Sequence, residues 1–243
     1  MKQIQEDRVQ NPAGSVLLLC PPWPRTGSAR IFEAQAQFYA LAGFHVRVLV
    51  VGYQNPPLDA EDYWSKAVAY FRLPSIRKVD VLQARHPMRR AWPFSLSRWR
   101  FAGRPTQLRI HAEYAASATM PESWWSDLVG ERLEIVHCNH SFNALAARKL
   151  CTRLTQLTGH QPALVVETHD IQAAIWHQTR TINMWSGRVD RPERLVQDEI
   201  ELLSDANLLI HISETDLDHF RAKLPNLQHR FVPAVFLESR ICP

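Results

Sequence analysis

Five side chains able to bind metal or move protons sit in two short segments. His137, Cys138 and His140 lie in L-E-I-V-H-C-N-H, and His169 and Asp170 close L-V-V-E-T-H-D. The first group invites a zinc reading. Successive residues of a strand face opposite sides, however, and no fourth ligand stands at the spacing structural zinc sites use, so no metal is expected. His137 then reads as a core histidine and His140 as lining a cleft at its strand's end. His169 and Asp170 follow an apolar run, A-L-V-V, and an imidazole beside a carboxylate there can hold, orient or accept a proton. The plainer alternative makes Asp170 a helix cap for the segment from Ile171 and His169 a hydrogen-bonded loop residue.

Three further places carry binding chemistry. Gly27 and Ser28 lead into a helical pattern, where exposed N–H groups suit a phosphate or sugar oxygen; an ordinary tight turn is the alternative. Arg30, one turn in, suits a phosphate or an exposed ion pair. Ser213 and Glu214 follow the apolar run L-L-I-H-I, and Ser213-x-x-Asp216 has the spacing of an N-cap.

The composition anomaly is residues 85–109, with seven arginines, two tryptophans, two phenylalanines and no acidic residue. Arg89, Arg90, Trp92, Trp99 and Arg100 interleave charge with rings, as an anionic bilayer surface would require. A loop packed on the body, or against a further domain, explains it equally. Nucleic acid is disfavoured, because no recognition fold accompanies the charges.

The elements that must position these groups are legible from hydrophobic pattern. Val16–Cys20 is a continuous apolar strand, broken by Pro21, Pro22 and Pro24. A helix follows with Ile31, Ala34, Phe38 and Leu41 on one face, then Gly43 and a second apolar run, Val46–Val51. Further strands are expected at Ile76–Leu82, Leu133–Cys138, Ala163–Glu167, Leu208–Ile212 and Arg230–Val232. Helices are expected from Asp59 or Glu61, over Gln107–Ala118, from a Ser141 cap to Gly159, from Asp190–Pro192 with Val196, Ile200 and Leu203 inward, and after Ser213. Strands alternating with helices imply an α/β fold with a doubly wound, mostly parallel, Rossmann-like sheet, in which ligands gather at the strands' carboxyl ends. Residues 1–14 read as a flexible lead-in and 15–243 as one domain with the irregular insertion at 85–109.

Of 243 residues, 46% are apolar and 21% charged, ordinary for a soluble globular chain with a mild net charge of +4. No apolar run is long enough to span a bilayer, and the N-terminus is too polar for a signal peptide. The four cysteines show no C-x-x-C spacing and suit buried free thiols in a reducing cytoplasm.

In order, P-P-W-P-R-T-G-S-A-R, A-L-A-G-F-H-V-R-V-L-V, L-E-I-V-H-C-N-H, L-V-V-E-T-H-D, L-S-D-A-N-L-L-I-H-I-S-E and R-F-V-P-A-V-F resemble successive motifs of the N-terminal Rossmann-like half of GT-B glycosyltransferases of the family 4 type. The match spans Val16–Val51 and Leu133–Phe236. It departs at the exit, which lacks the usual Asn-Gly. The family's second half, with its Glu-x7-Glu signature, is absent from this sequence. The resemblance implies an acceptor-side domain of a retaining enzyme. Such an enzyme moves a sugar from a nucleotide-sugar to a glycan or lipid-linked acceptor in polysaccharide biosynthesis, with no cofactor beyond that donor. It further implies His169 at the donor sugar or shaping the reacting centre, Asp170 as base or orienting partner, and dependence on a second donor-binding domain or chain. The expected location is cytoplasmic, with peripheral attachment to the inner membrane face. The competing reading is a non-catalytic module that binds a glycan or a partner. A dinucleotide-dependent oxidoreductase is disfavoured, because no G-x-G-x-x-G follows the first strand.

Overall fold

Apolar strands without alternation must be covered on both faces, and the first strand, β1 (Ser15–Cys20), is buried at every position. In the computed structural model, residues 14–23, 27–52, 76–83, 105–117, 120, 122–183 and 186–234 are described. Along them run α1 (Gly27–Leu41), β2 (His45–Gly52), β3 (Ile76–Gln83), α2 (Gln107–Ala115), α3 (Glu122–Val129) and β4 (Leu133–Asn139). A 3-10 turn (Ser141–Asn143), α4 (Ala144–Thr158), β5 (Ala163–Glu167), α5 (Gln172–Gln178), α6 (Pro192–Leu203), β6 (Leu208–His211), α7 (Glu214–Lys223) and β7 (Gln228–Phe231) follow.

The strands form one sheet in the order β3-β2-β1-β4-β5-β6-β7, and every adjacent pair is parallel. This is the doubly wound α/β arrangement that the alternating pattern implies. Because the strands are parallel, Cys20, Asn139, Thr168 and Ser213 all fall at or just beyond carboxyl ends, along one rim. The two faces carry separate cores. Val16, Leu18, Cys20, Val46 and Val48 pack on Phe32, Ala36 and Tyr39 of α1. Leu17, Leu19, Leu49, Val136 and Cys138 pack under α3 and α4.

Several local expectations are corrected. On α1 Ile31 is buried as expected, together with Ala29, Phe32, Glu33, Ala36 and Tyr39, whereas Phe38 and Leu41 are 67% and 80% exposed. Two overlapping apolar stripes compete on that helix, and the one with the larger rings meets the sheet. Ser141 does not cap α4: it lies in the 3-10 turn, with its hydroxyl on Glu199. On α6 Leu203 is buried as expected and Val196 and Ile200 pack, half-buried, against the core, while the fully buried positions beside them are Leu195, Glu199 and Leu202. Gly159 ends α4 at φ +72 and Gly43 follows α1 at φ +89, where glycine lacks the steric cost of other residues. Pro192 occupies the first turn of α6, and Ser213 caps α7 by accepting from the Asp216 N–H.

One charged residue holds the far end of the sheet. Arg47 stands in the interior of β2, 1% exposed. Its guanidinium lies 5.1 Å from the Trp124 ring centre and within 3.8 Å and 3.5 Å of Asp127 and Glu131. It therefore fastens α3 to the sheet by stacking and by charge. The Asp127 and Glu131 side chains are 53% and 19% exposed, so the ion pairs are worth less than fully buried ones. Arg47→Ala is expected to cost about 2–3 kcal/mol in urea unfolding, and Arg47→Lys to recover only part of that, because lysine lacks the planar fork that stacks. Full recovery by lysine would refute the stacking account.

Candidate functional site: a histidine-rich rim at the carboxyl ends of β4 and β5

The rim is built around Asn139, the last residue of β4 and fully buried. Its Nδ2 donates to the Leu19 carbonyl at 3.1 Å and to Gln35 Oε1 at 2.9 Å. Its Oδ1 accepts from Gln35 Nε2 at 3.0 Å and meets His169 Nε2 at 2.8 Å. Gln35 Nε2 also donates to Glu167 Oε2 at 2.7 Å. An amide oxygen can only accept, so His169 carries its proton on Nε2, leaving Nδ1 as the lone-pair nitrogen.

The chain holds two rings here against its backbone preference. His140 has φ +68 with ψ 142, and His169 has φ +58. Left-handed conformations are uncommon for residues with a side chain and concentrate at functional sites. The two imidazoles stack with centroids 4.2 Å apart and an interplanar angle of 15°. Phe142 continues the stack on His140 at 5.1 Å, Phe32 meets His169 edge-on, and Trp23 meets His140 edge-on at 4.9 Å. Trp23, at 36% exposed, is the part of this aromatic group that reaches the surface.

Burial sets the charge states. It pushes His137 and His169 down to about 3, with His137 adding to the effect on His169, and it lowers His140 with help from His169. All three rings are therefore neutral near pH 7. Burial pushes Glu167 up to about 7, and the Gln35 hydrogen bond pulls it partly back. The approaches of His137 Nε2 and His169 Nε2 to Glu167, at 3.8 Å and 3.4 Å, are thus contacts of neutral imidazoles, not ion pairs. His137 is the core histidine expected, with Nδ1 2.9 Å from the Tyr39 hydroxyl. His140 Nε2 and Glu167 Oε1 are buried with no hydrogen-bond partner. Buried polar atoms of this kind call for an explanation.

Other candidates fall as follows. His169 is 2% exposed, so it lies beneath the rim rather than projecting into a crevice, and Asp170 is the exposed member of the pair. Asp170 does not cap α5. Glu199 does, accepting from the Gln172 and Ala173 N–H groups at 3.0 Å and 2.9 Å while holding Ser141. Burial raises Glu199 to about 7 despite those bonds. Burial and Asp216 raise Asp170. Gly27 and Ser28 are the first residues of α1; Gly27 has open space around a would-be Cβ, so nothing in the fold demands a glycine there. Arg30 is exposed on α1 and pairs with Glu33 at 3.7 Å. Ser213 is a cap, and Glu214 is exposed in the first turn of α7. Arg89, Arg90, Trp92, Trp99 and Arg100 lie outside the described residues. Among those described, no group of three or more His, Cys, Asp or Glu is placed to hold a metal, and no helix is long and apolar enough to cross a membrane.

Gln35, Glu167, Glu199 and Trp23 were not singled out by sequence. A glutamate ending the run A-L-V-V, and another at the i+4 position from Leu195 on an apolar stripe, were the available signals.

A parallel sheet whose polar groups converge at one carboxyl rim defines a Rossmann-like α/β domain. No family model matches the chain, and no curated protein matches it. Among solved structures, it aligns over 94% of its length with 56% of UGT2 of Phytolacca americana, solved with UDP-2fluoro-glucose and pterostilbene, at 14% identity and a TM-score of 0.50. An Arabidopsis thaliana UGT complexed with quercetin aligns over 95% of this chain and 53% of its own, at 15% identity and a TM-score of 0.49. Sucrose-phosphate synthase of Thermosynechococcus elongatus aligns over 91% and 89%, at 13% identity and 0.46. The chain thus spans about half the length of the UGT structures. The likeness to the Phytolacca protein is one of Rossmann-like fold.

Proposed function

We propose that this chain is the acceptor-side domain of a glycosyltransferase of the family 4 type. It would move a sugar from a nucleotide-sugar to a glycan or lipid-linked acceptor, with retention of configuration. The observation that carries the reading is the convergence of Cys20, Asn139, Thr168 and Ser213 on one rim, with the strained, stacked His140 and His169 beneath it. Support comes from the ordered motifs of the sequence and from the fold's likeness to a protein solved with UDP-2fluoro-glucose.

In this reading Trp23 offers a face to a sugar ring. Asp170 orients an acceptor hydroxyl or takes its proton. The α1 N-terminus at Gly27 and Ser28, with Arg30, faces donor phosphate, and Ser213 and Glu214 line the far end of the rim. His140 and His169 shape the floor beneath the rim and stay neutral, adding no positive charge to oppose a cationic transition state. Retaining transfer has no obligatory acceptor base, so Asp170→Asn should lower turnover only modestly, less than about tenfold. The donor would be held jointly with a second Rossmann-like domain or chain, in the cytoplasm, and residues 85–109 would rest on an anionic membrane surface.

Calorimetry with UDP- and GDP-sugars, on the chain alone and with the product of the adjacent gene, tests the assignment. Donor binding and transfer with the second chain, weak or no turnover alone, is the expected outcome. Absence of binding and transfer in every combination would favour the non-catalytic module instead. Co-sedimentation with anionic liposomes should weaken as salt rises; indifference to lipid charge would rule out the membrane contact.

A further inference from the structure

Beside the histidine rim runs a second, separate line of imidazoles with no assigned role. Thr168 Oγ1 is 3.1 Å from His211 Nδ1, His211 Nε2 is 3.0 Å from His229 Nδ1, and His229 Nε2 is 2.9 Å from the Leu224 carbonyl. Thr168, His211 and His229 are 0%, 0% and 6% exposed. For rings carrying one N–H each, every direction is forced. A carbonyl only accepts, so His229 carries its proton on Nε2 and accepts at Nδ1. His211 must then donate from Nε2 and accept at Nδ1, and the Thr168 hydroxyl must donate to it. The alternative acceptor for that hydroxyl, the Ile210 carbonyl, is farther at 3.4 Å and already takes the Thr168 N–H.

We infer that His211 and His229 are positioning residues that set the Thr168–Asp170 turn. Leu224 is the C-cap of α7, His229 lies on β7 and His211 on β6, so the line ties the last helix and two strands to the turn that carries His169. That turn needs outside support. His169 is left-handed at φ +58, and the Asp170 N–H closes back on the Thr168 carbonyl at 2.7 Å. On one side His169 is held by Asn139, on the other Thr168 is held by His211. The ring planes support the line as well: His211 stacks on Phe220 at 5.5 Å and lies nearly parallel to His229. The inference rests on the proposed function only in treating the His169 turn as working machinery; the hydrogen-bond order stands or falls independently of sugar transfer.

The test is 15N NMR of the histidine side chains and Thr168 in the full chain. The wild type should show Nε2–H on both His211 and His229, and a slowly exchanging Thr168 hydroxyl. His229→Phe should displace the His211 ring nitrogens and the His169 Nε2 resonance, and speed exchange of the His169 Nε2–H about five- to tenfold, the worth of one neutral hydrogen bond. His229→Gln, which can accept from His211 and donate to Leu224, should restore the wild-type pattern. Thr168→Val approaches from the other end and should perturb His211 even if the phenylalanine variant fails to fold. A folded His229→Phe protein with unchanged His169 resonances, a glutamine variant no better than phenylalanine, or a His211 insensitive to Thr168→Val would each overturn the inference.

Discussion

Asn139→Ala is expected to lower unfolding free energy by about 3–5 kcal/mol, a large share of what a domain of this size possesses. The side chain is fully buried, and its loss removes the partner of the Gln35 amide oxygen, one of two acceptors for the Gln35 N–H group, the His169 Nε2–H acceptor and part of the Leu19 carbonyl's bonding. Each buried group left unmade costs about 1–3 kcal/mol. Asn139→Leu should be no better, because volume without an amide leaves the same groups unmet. The reciprocal amide pair with Gln35 makes a double-mutant cycle informative: Gln35→Ala in the alanine background should cost much less than alone. Urea unfolding decides it. Simple additivity of the two changes would remove the pair from the account of this rim.

Acid should unfold the protein cooperatively, well before carboxylates alone would require. His137 and His169 are pushed down to about 3, and His111 and His211 to about 4, chiefly by burial. The unfolded chain binds protons at these rings from an ordinary value near 6.5, so their contribution is complete above that value and is lost as pH falls toward 4 and 3. Glu167 and Glu199 oppose this. Their folded values near 7 exceed the unfolded 4.5, so they contribute most below 4.5 and lose that contribution as pH rises through 7. Histidines outnumber the two glutamates, and below pH 4.5 only the histidine effect still grows. Stability should therefore fall on acidification, by on the order of 5 kcal/mol between pH 7 and 4. Tryptophan fluorescence and far-ultraviolet circular dichroism against pH would show it; native signals persisting at pH 3.5 would refute it. Glu167→Gln, neutral at every pH, should gain stability relative to wild type mainly above pH 7.

The sheet was readable because fully covered parallel strands are near-continuous apolar runs: Val16–Cys20 has no polar residue, Val46–Val51 is interrupted by Arg47 and Leu208–Ile212 by His211. The cap at Ser213 was readable for a local reason: donor and acceptor are three residues apart. What failed to show was whatever depends on distant approach. Gln35 meets Asn139 across 104 residues and Ser141 meets Glu199 across 58, and nothing in either neighbourhood announces the partner. Of the expected α1 face Ile31 is buried but Phe38 and Leu41 are not, because a helix with apolar residues on two stripes does not say which one the sheet will take. His140 and His169 were found by their place at strand ends, but their inward turn follows from Asn139 and the aromatic stack, which sequence does not place. Arg47 is a charge within an apolar run, and its partners, Trp124 and Asp127 on α3 and Glu131 just beyond it, are distant in sequence.

The left-handed backbone at His140 separates what a ring does from what a loop does. Glycine suits that torsion better than any other residue, so His140→Gly should leave the peptide path undisturbed while deleting the imidazole. Valine or isoleucine would fight the torsion itself. Position 140 is thus a place where loss of a side chain and loss of a conformation can be produced one at a time, a dissection most binding loops do not permit.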